Sequence, residues 1–510
     1  MVRIIFISIY ILCTLPQNIF SQGRNNLWLL GFQNILDPYT TTLRANVEYS
    51  SGNPVVSPVT RKMKLKETQG NISDVNGNLL MSSNGIWIAN ATGDTMMNGG
   101  GLNPNQFTLD WANTSVSSLN IQYANIFLPW PGDSNKYALF HMTGDYNSNP
   151  NITYAGRQLF YTTINILLDS GKGGVITKNQ IAFNDTLTWG ISACKHANGR
   201  DWWIVAIRNN SNTLITVLLS PNGVSLPFYQ TFQDKISDNG NSCQPTFSPN
   251  GKKFAFTTGT PAGSGYALKT NLFDFDRCSG VFSNHRIINT PDSTFAIGTA
   301  FAANSKYLYT CARNHIFQIN TDTTDLSADT VAIYDGFTSV QATNFYTMFL
   351  AQDNKIYVTS IGSVVDHHVI NYPDSAGLAC DVQQHSLHIP CLNFGSVPNH
   401  PNYFLGPVVG SVCDSITIGF NAEFRMKNEE LKISPNPATT VVTFNASRVK
   451  GHKASFSIYS SIGELIGKRD AQVYGGFVTQ DVYIQELPSG IYIVRLETEW
   501  EVYVGKFVKE

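Results

Sequence analysis

Phe247-Ser-Pro-Asn-Gly-Lys-Lys-Phe-Ala-Phe256 is the stretch whose reading decides the fold of most of this chain. An apolar residue leads into Ser-Pro-Asn-Gly, where Asn and Gly tolerate positive φ, and the chain resumes as an alternation that returns aromatic rings to a core. That is the pattern of a hairpin. It recurs at Phe301-Ala-Ala-Asn-Ser-Lys-Tyr-Leu-Tyr309 and at Leu350-Ala-Gln-Asp-Asn-Lys-Ile-Tyr-Val358. Looser copies precede these at Asp74-Val-Asn-Gly-Asn-Leu79, Gly132-Asp-Ser-Asn-Lys-Tyr137 and His196-Ala-Asn-Gly-Arg-Asp-Trp-Trp203. A spacing of roughly fifty to sixty residues is the period of a propeller blade with inserted loops. It predicts an all-β protein whose main body, residues 23–413, is a β-propeller of about seven blades. The seventh is expected from both ends of that stretch, around Trp28 and Tyr403.

Composition agrees with this reading. The 510 residues are 42% hydrophobic and 12% aromatic but only 14% charged, with 40 glycines. Few charges with many aromatics and glycines favour turn-rich sheets over helices. A formal net charge of −2 gives no electrostatic case for nucleic acid or an anionic membrane surface. The Phe-Ser-Pro-Asn-Gly-Lys copy resembles the WD-like repeat of TolB-type β-propellers, with Asn271-Leu-Phe-Asp-Phe-Asp-Arg-Cys-Ser-Gly280 as an outer strand of the same blade.

The C-terminal residues 431–510 are organised differently. Leu431-Lys-Ile-Ser-Pro-Asn-Pro437 excludes a helix, because each proline lacks an amide donor and pushes its predecessor to extended geometry. Val442 alternates with Phe444, Phe456 with Ile458, and Tyr492 with Val494 and Leu496, the period of strands with one buried face. A small antiparallel β-sandwich follows. The ordered motifs Pro435-Asn436-Pro437, Ile458-Tyr459 with Gly463, Leu487-Pro488-Ser489-Gly490-Ile491-Tyr492 and Lys506-Phe-Val508 resemble the type A C-terminal sorting domain of the type IX secretion system. The resemblance implies recognition by that secretion machinery, removal of the domain, and a product that is secreted or attached to the outer-membrane surface. Ser83-Asn-Gly-Ile-Trp-Ile-Ala-Asn90, Lys195 to Trp203 and Val369-Ile-Asn-Tyr-Pro373 are similar to stretches of propeller proteins carrying the same domain, which implies a fold and a location without a reaction.

The N-terminus fits export. Met1-Val-Arg3 is a short basic region, Ile4 to Leu15 is apolar, and Ser21-Gln22-Gly23 offers a cleavage zone, so residues 1–22 read as a signal peptide. The apolar run is too short to span a bilayer, and the mature chain carries no transmembrane segment. Residues 414–430, polar at Lys427-Asn-Glu-Glu430, read as a linker.

Catalytic equipment is sparse. Gly-x-Ser-x-Gly, His-Glu-x-x-His and Cys-x-x-Cys are all missing, and Ala262-Gly-Ser-Gly265 has the wrong spacing. Cys194 and His196 share a strand face, but two strand residues separate them by about 6–7 Å, too far for a direct hydrogen bond. Asp74-Val-Asn-Gly-Asn78 lacks the sixth-position glycine of a calcium loop and reads as a turn. His367, His368, His385, His388 and His400 crowd one window without a carboxylate at ligand spacing. No cofactor or metal is therefore expected. Cys380 and Cys391 are the cysteines easiest to bridge across one loop in an oxidising compartment. Trp111, Trp130 and Trp202, amid many asparagines and tyrosines, suit contacts with an extracellular glycan or protein ligand. The expected function is binding. A propeller-type glycan lyase or hydrolase, and a structural part of the gliding or export apparatus, are the alternatives.

Overall fold

The computed structural model describes residues 23–32, 43–50, 53–146, 154–238, 243–262, 265–395, 397–413, 431–447, 449, 453–460, 465–498 and 502–510. The proposed signal peptide 1–22, the linker 414–430 and Gly463 lie outside the described residues. The chain divides into two compact units at Ser415.

The repeated turns have one geometry. In five of the six copies the amide of the fourth turn residue donates to the carbonyl of the first: Gly77 to Asp74, Gly199 to His196, Gly251 to Ser248, Ser305 to Ala302 and Asn354 to Ala351, at 2.8–3.2 Å. All five donors have positive φ, between 61° and 92°. Gly, Asn and a short Ser reach that region at least cost, which is why those residues recur there. The looser copy at Gly132 turns instead through Asp133 donating to Trp130.

Each turn joins the first two strands of one blade, and the strands group into seven blades, of which the second to fourth are linked in one twelve-stranded sheet. The first has three strands, Leu27–Leu30, Leu43–Glu48 and Val55–Thr60. The second runs from Gly70–Ser73 through Leu79–Ser83 and Trp87–Asn90 to Thr95–Gly100. The third comprises Asn125–Pro129, Lys136–Tyr146, Tyr154–Asn165 and the beginning of the long strand Gly174–Lys195. The end of that same strand opens the fourth blade, pairing with Trp202–Arg208, then Thr213–Ser220 and Phe228–Thr231. The fifth is Thr246–Phe247, Lys253–Ala262, Gly265–Asp276 and Val281–Asn289. Asn271–Gly280 thus covers the third strand and its turn, and the outermost strand is Val281–Asn289. The sixth is Thr299–Phe301, Tyr307–Cys311, His315–Asn320 and Asp329–Ile333, and the seventh Met348–Leu350, Ile356–Val358, Ser363–Ile370 and Val382–Phe394.

Apolar packing closes the ring. Trp28, Ala45 and Val47 of the first blade meet Tyr357, Val369 and Ile389 of the seventh, while Leu29 packs with Ala89 of the second. Phe254, Phe256, Phe273 and Phe282 join Trp203 and Val205 between the fifth and fourth blades. Each fully buried phenylalanine contributes about 2–3 kcal/mol. The first blade is built from the N-terminal stretch alone. Tyr403 does not share it, contrary to the expectation above. Its ring joins the core of the second to fourth blades and its hydroxyl donates to the Phe127 carbonyl at 2.7 Å.

The second unit is a sandwich of two sheets. Leu431–Ser434, Val441–Ser447 and Phe477–Tyr483 form one. Leu465–Gln472, Lys453–Ser460, Gly490–Thr498 and Val502–Lys509 form the other. The alternating residues face inward: Val442, Phe444, Phe456, Ile458, Tyr492, Val494 and Leu496 are all buried, with Tyr503 and Phe507. Asn436, between Pro435 and Pro437, donates to the Lys506 carbonyl at 3.0 Å and accepts from the Val508 amide at 2.9 Å, tying that segment to the last strand. Gly490 opens its strand, the Tyr492 hydroxyl donates to the Pro488 carbonyl at 2.8 Å, and Lys506 is exposed.

Candidate functional site

Where the innermost strands converge, a cavity of about 260 Å³ opens on the propeller axis, lined by residues of the first, fourth, fifth, sixth and seventh blades. The rest of its wall is Asn25, Tyr123 just ahead of the third blade, and chain beyond the last blade, residues 399–402 with Phe404 and Leu405. The more accessible part of the lining includes aromatic rings (Phe349, Phe404) and amides (Gln352, Asn354, Asn402). Among the described residues that line it there is no Asp, Glu, Lys or Arg.

Burial holds the titratable groups that remain in their neutral forms near neutrality. Burial pushes the His400 imidazole down to about 4, a shift only partly opposed by its hydrogen bond from Nε2 to the Asn71 carbonyl at 2.8 Å. Burial pushes the Cys194 thiol up to about 12, and it holds the Tyr123 phenol above its ordinary range too. A neutral thiol is a poor nucleophile. The lining thus offers aromatic stacking surface and amide hydrogen-bonding groups.

Buried amides fix its walls. Gln244 accepts from the Thr299 amide at 3.2 Å and the Met348 amide at 3.0 Å, and donates to the Met348 carbonyl, so one side chain from the fifth blade staples the sixth and seventh. Asn399 donates to the carbonyls of Tyr123 at 3.3 Å and Ile191 at 2.8 Å, joining the third and fourth blades to the closing chain. Neither residue stands out in the sequence. Asn399 does lie in Pro398-Asn-His-Pro401, a proline-bracketed polar stretch just after the last blade, and that bracket is the one local hint.

The residues singled out by sequence fall elsewhere. Trp202 is only 1% exposed, a core residue whose indole donates to the Pro129 carbonyl at 3.2 Å, so it is not a surface contact. Trp111, on the helix Gln106–Ala112, and Trp130 are half-buried beneath the ammonium groups of Lys66 and Lys136, at 5.3 Å and 3.5 Å, and neither lines the cavity. Cys380 and Cys391 are both buried and are not joined in a disulfide. Cys391 lies nine residues into the strand that begins at Val382, on the order of 25 Å from Cys380's end, beyond the reach of a disulfide. The bridge instead joins Cys278 to Cys413. Cys194 and His196 do not pair; His196 bonds the Cys278 carbonyl at 3.0 Å.

The histidines also disperse. His367 and His368 are buried in one strand, His385 bonds Asp335 at 3.1 Å, and His388 bonds Asp366 at 2.8 Å. Among the described residues no three His, Cys, Asp or Glu converge as a metal site. Asp74 is a turn residue, accepting from the amides of Asn76 and Asn78 at 2.8 and 2.9 Å.

This architecture defines a β-propeller protein that carries its own C-terminal export module. Residues 432–510 match the secretion system C-terminal sorting domain. The protein is accordingly a type IX secretion product, carried to the cell surface or released outside. No described helix is long and apolar enough to cross a membrane. No curated protein matches the chain. Among solved structures it is similar to a functionally unknown protein from Desulfotomaculum acetoxidans, at 11% identity over 74% of this chain and 99% of that one, with a TM-score of 0.39. TolB from Acinetobacter baumannii aligns at 11% identity over 74% and 66%, with a TM-score of 0.30. A quinoprotein alcohol dehydrogenase-like protein from Bacteroides thetaiotaomicron aligns at 10% over 73% and 75%, with a TM-score of 0.29.

Proposed function

We propose that the exported protein binds an uncharged carbohydrate in the axial cavity, by contact and without catalysis. The uncharged lining carries this reading, since an acidic sugar or a charged peptide finds no counter-ion there. Aromatic faces beside amide groups suit a pyranose, whose C–H face stacks while its hydroxyls hydrogen-bond. A volume of about 260 Å³ matches one terminal sugar unit better than the length of a polymer.

The test is calorimetry of the full-length protein against neutral and acidic oligosaccharides. Neutral ligands are expected to bind, and Gln352→Ala with Phe404→Ala is expected to weaken them roughly tenfold, about 1–2 kcal/mol. Binding of acidic sugars alone, or affinity indifferent to both substitutions, would place recognition elsewhere on the protein.

A further inference from the structure

We infer that residues 397–413 are a strap whose second half, 406–413, is latched onto the fourth and fifth blades by the Cys278–Cys413 disulfide, and that the oxidation state of this pair decides whether that half stays seated beside the cavity. The strap pairs with no strand of any blade. Its first half is held by side chains reaching main chain on four blades. His400 bonds Asn71 on the second, Tyr403 bonds Phe127 on the third, Asn399 bonds Ile191 on the fourth, and Asn402 donates to the Pro249 carbonyl on the fifth at 2.7 Å.

The second half is held differently. The Val408 amide donates to the Ala197 carbonyl at 2.8 Å, and Arg277 Nη2 donates to the Gly406 carbonyl at 2.7 Å. Burial contributes little there, because Val409 is 88% and Val412 68% exposed. A segment with so little burial opens locally at small free-energy cost unless a covalent bond holds it. Cys413 supplies that bond, to a residue 135 positions earlier on the fifth blade.

The bed under the strap is shaped to fit. A Cβ on Gly199 would come within 2.6 Å of the Pro407 nitrogen, and one on Gly251 within 3.1 Å of Leu405 Cδ1. The same virtual atom on Gly251 lies 2.9 Å from Cys194 Sγ, so Leu405 and the cavity-lining Cys194 meet over that turn. Closing the latch removes two protons and two electrons from the two thiols. A disulfide oxidant of the envelope accepts them and becomes its dithiol, and a dithiol reductant reverses the exchange. The strap is thus unlatched in a reducing compartment and latched after export into an oxidising one.

Cys194 reports the strap without any ligand, so the outcome does not depend on the carbohydrate reading. Native full-length protein and its Cys278→Ser/Cys413→Ser variant are exposed to iodoacetamide, and alkylation is followed by peptide mass spectrometry. Cys194 is expected to react at least tenfold faster in the variant, while Cys311, buried in the separate core of the sixth and seventh blades, stays unlabelled in both. Equal protection of Cys194 overturns the inference, because the strap then stays seated unaided. Labelling of Cys311 together with Cys194 overturns it as well, because the bond then supports the whole propeller. If the variant fails to fold, wild-type protein reduced with dithiothreitol and freed of reductant before labelling is judged by the same outcomes.

Discussion

His141, His367 and His368 have no exposed surface, and burial holds each imidazole neutral, at about 3, about 4 and about 3 respectively. His141 is bonded on both sides, to Asn103 Oδ1 at 2.8 Å and Thr162 Oγ1 at 2.9 Å. In the unfolded chain each ring takes a proton near pH 6.5. The folded values lie below the unfolded one, so the stability they support is complete above about pH 6.5 and falls as pH drops towards 4. Each contributes a slope of about 1.4 kcal/mol per pH unit, and the three together about 4 kcal/mol per unit. Two units of acidification then remove about 8 kcal/mol, comparable with the whole stability of a typical domain. Glu67 and Asp353, whose carboxyls burial holds above the ordinary range, bind protons earlier when folded and offset part of the loss at the acid end of that window. Urea unfolding followed by tryptophan fluorescence between about pH 7.5 and 4.5 measures this slope. His141→Gln is expected to reduce it by about 1.4 kcal/mol per unit. A stability unchanged between pH 7 and 5, or parallel profiles for the two proteins, would refute the reasoning.

Other outcomes follow from single contacts. Gln244→Met keeps the volume but strands the amides of Thr299 and Met348 and the Met348 carbonyl; the expected loss is about 3–5 kcal/mol in urea unfolding, and a loss under about 1 kcal/mol would show that the staple is dispensable. Gly199→Ala is expected to cost about 1–2 kcal/mol and to speed hydrogen exchange across residues 406–413, because it combines φ of +71° with the close approach of Pro407. Gly93→Ala shares the positive φ but meets nothing within 4 Å, so it should leave exchange in the strap unchanged. Asn436→Ala removes both bonds to the last strand and should destabilise the sorting unit by about 2 kcal/mol, lowering the surface fraction in cell fractionation; wild-type export with an unchanged melt would contradict that role.

The blade turns and the sorting sandwich were legible in sequence because their determinants are local. Positive φ at Gly77, Gly199, Gly251, Ser305 and Asn354 is a property of four consecutive residues, and the alternation of Val442 with Phe444 is set by the two-residue strand period. Each such signal acts through neighbours in the chain, so a single sequence displays it in full.

The cavity, its staples and its latch were decided by tertiary structure alone. Gln244 is an ordinary glutamine until the closing ring brings Thr299 and Met348 to its amide, and Trp202 is a surface candidate until the fourth blade turns it inward. Cys413 has no local mark that distinguishes it from Cys391 as a partner in a bridge. Which thiols meet depends on where strands some hundred residues apart are carried by the packing, and a disulfide forms only between Cα atoms a few ångströms apart, here 5.7 Å.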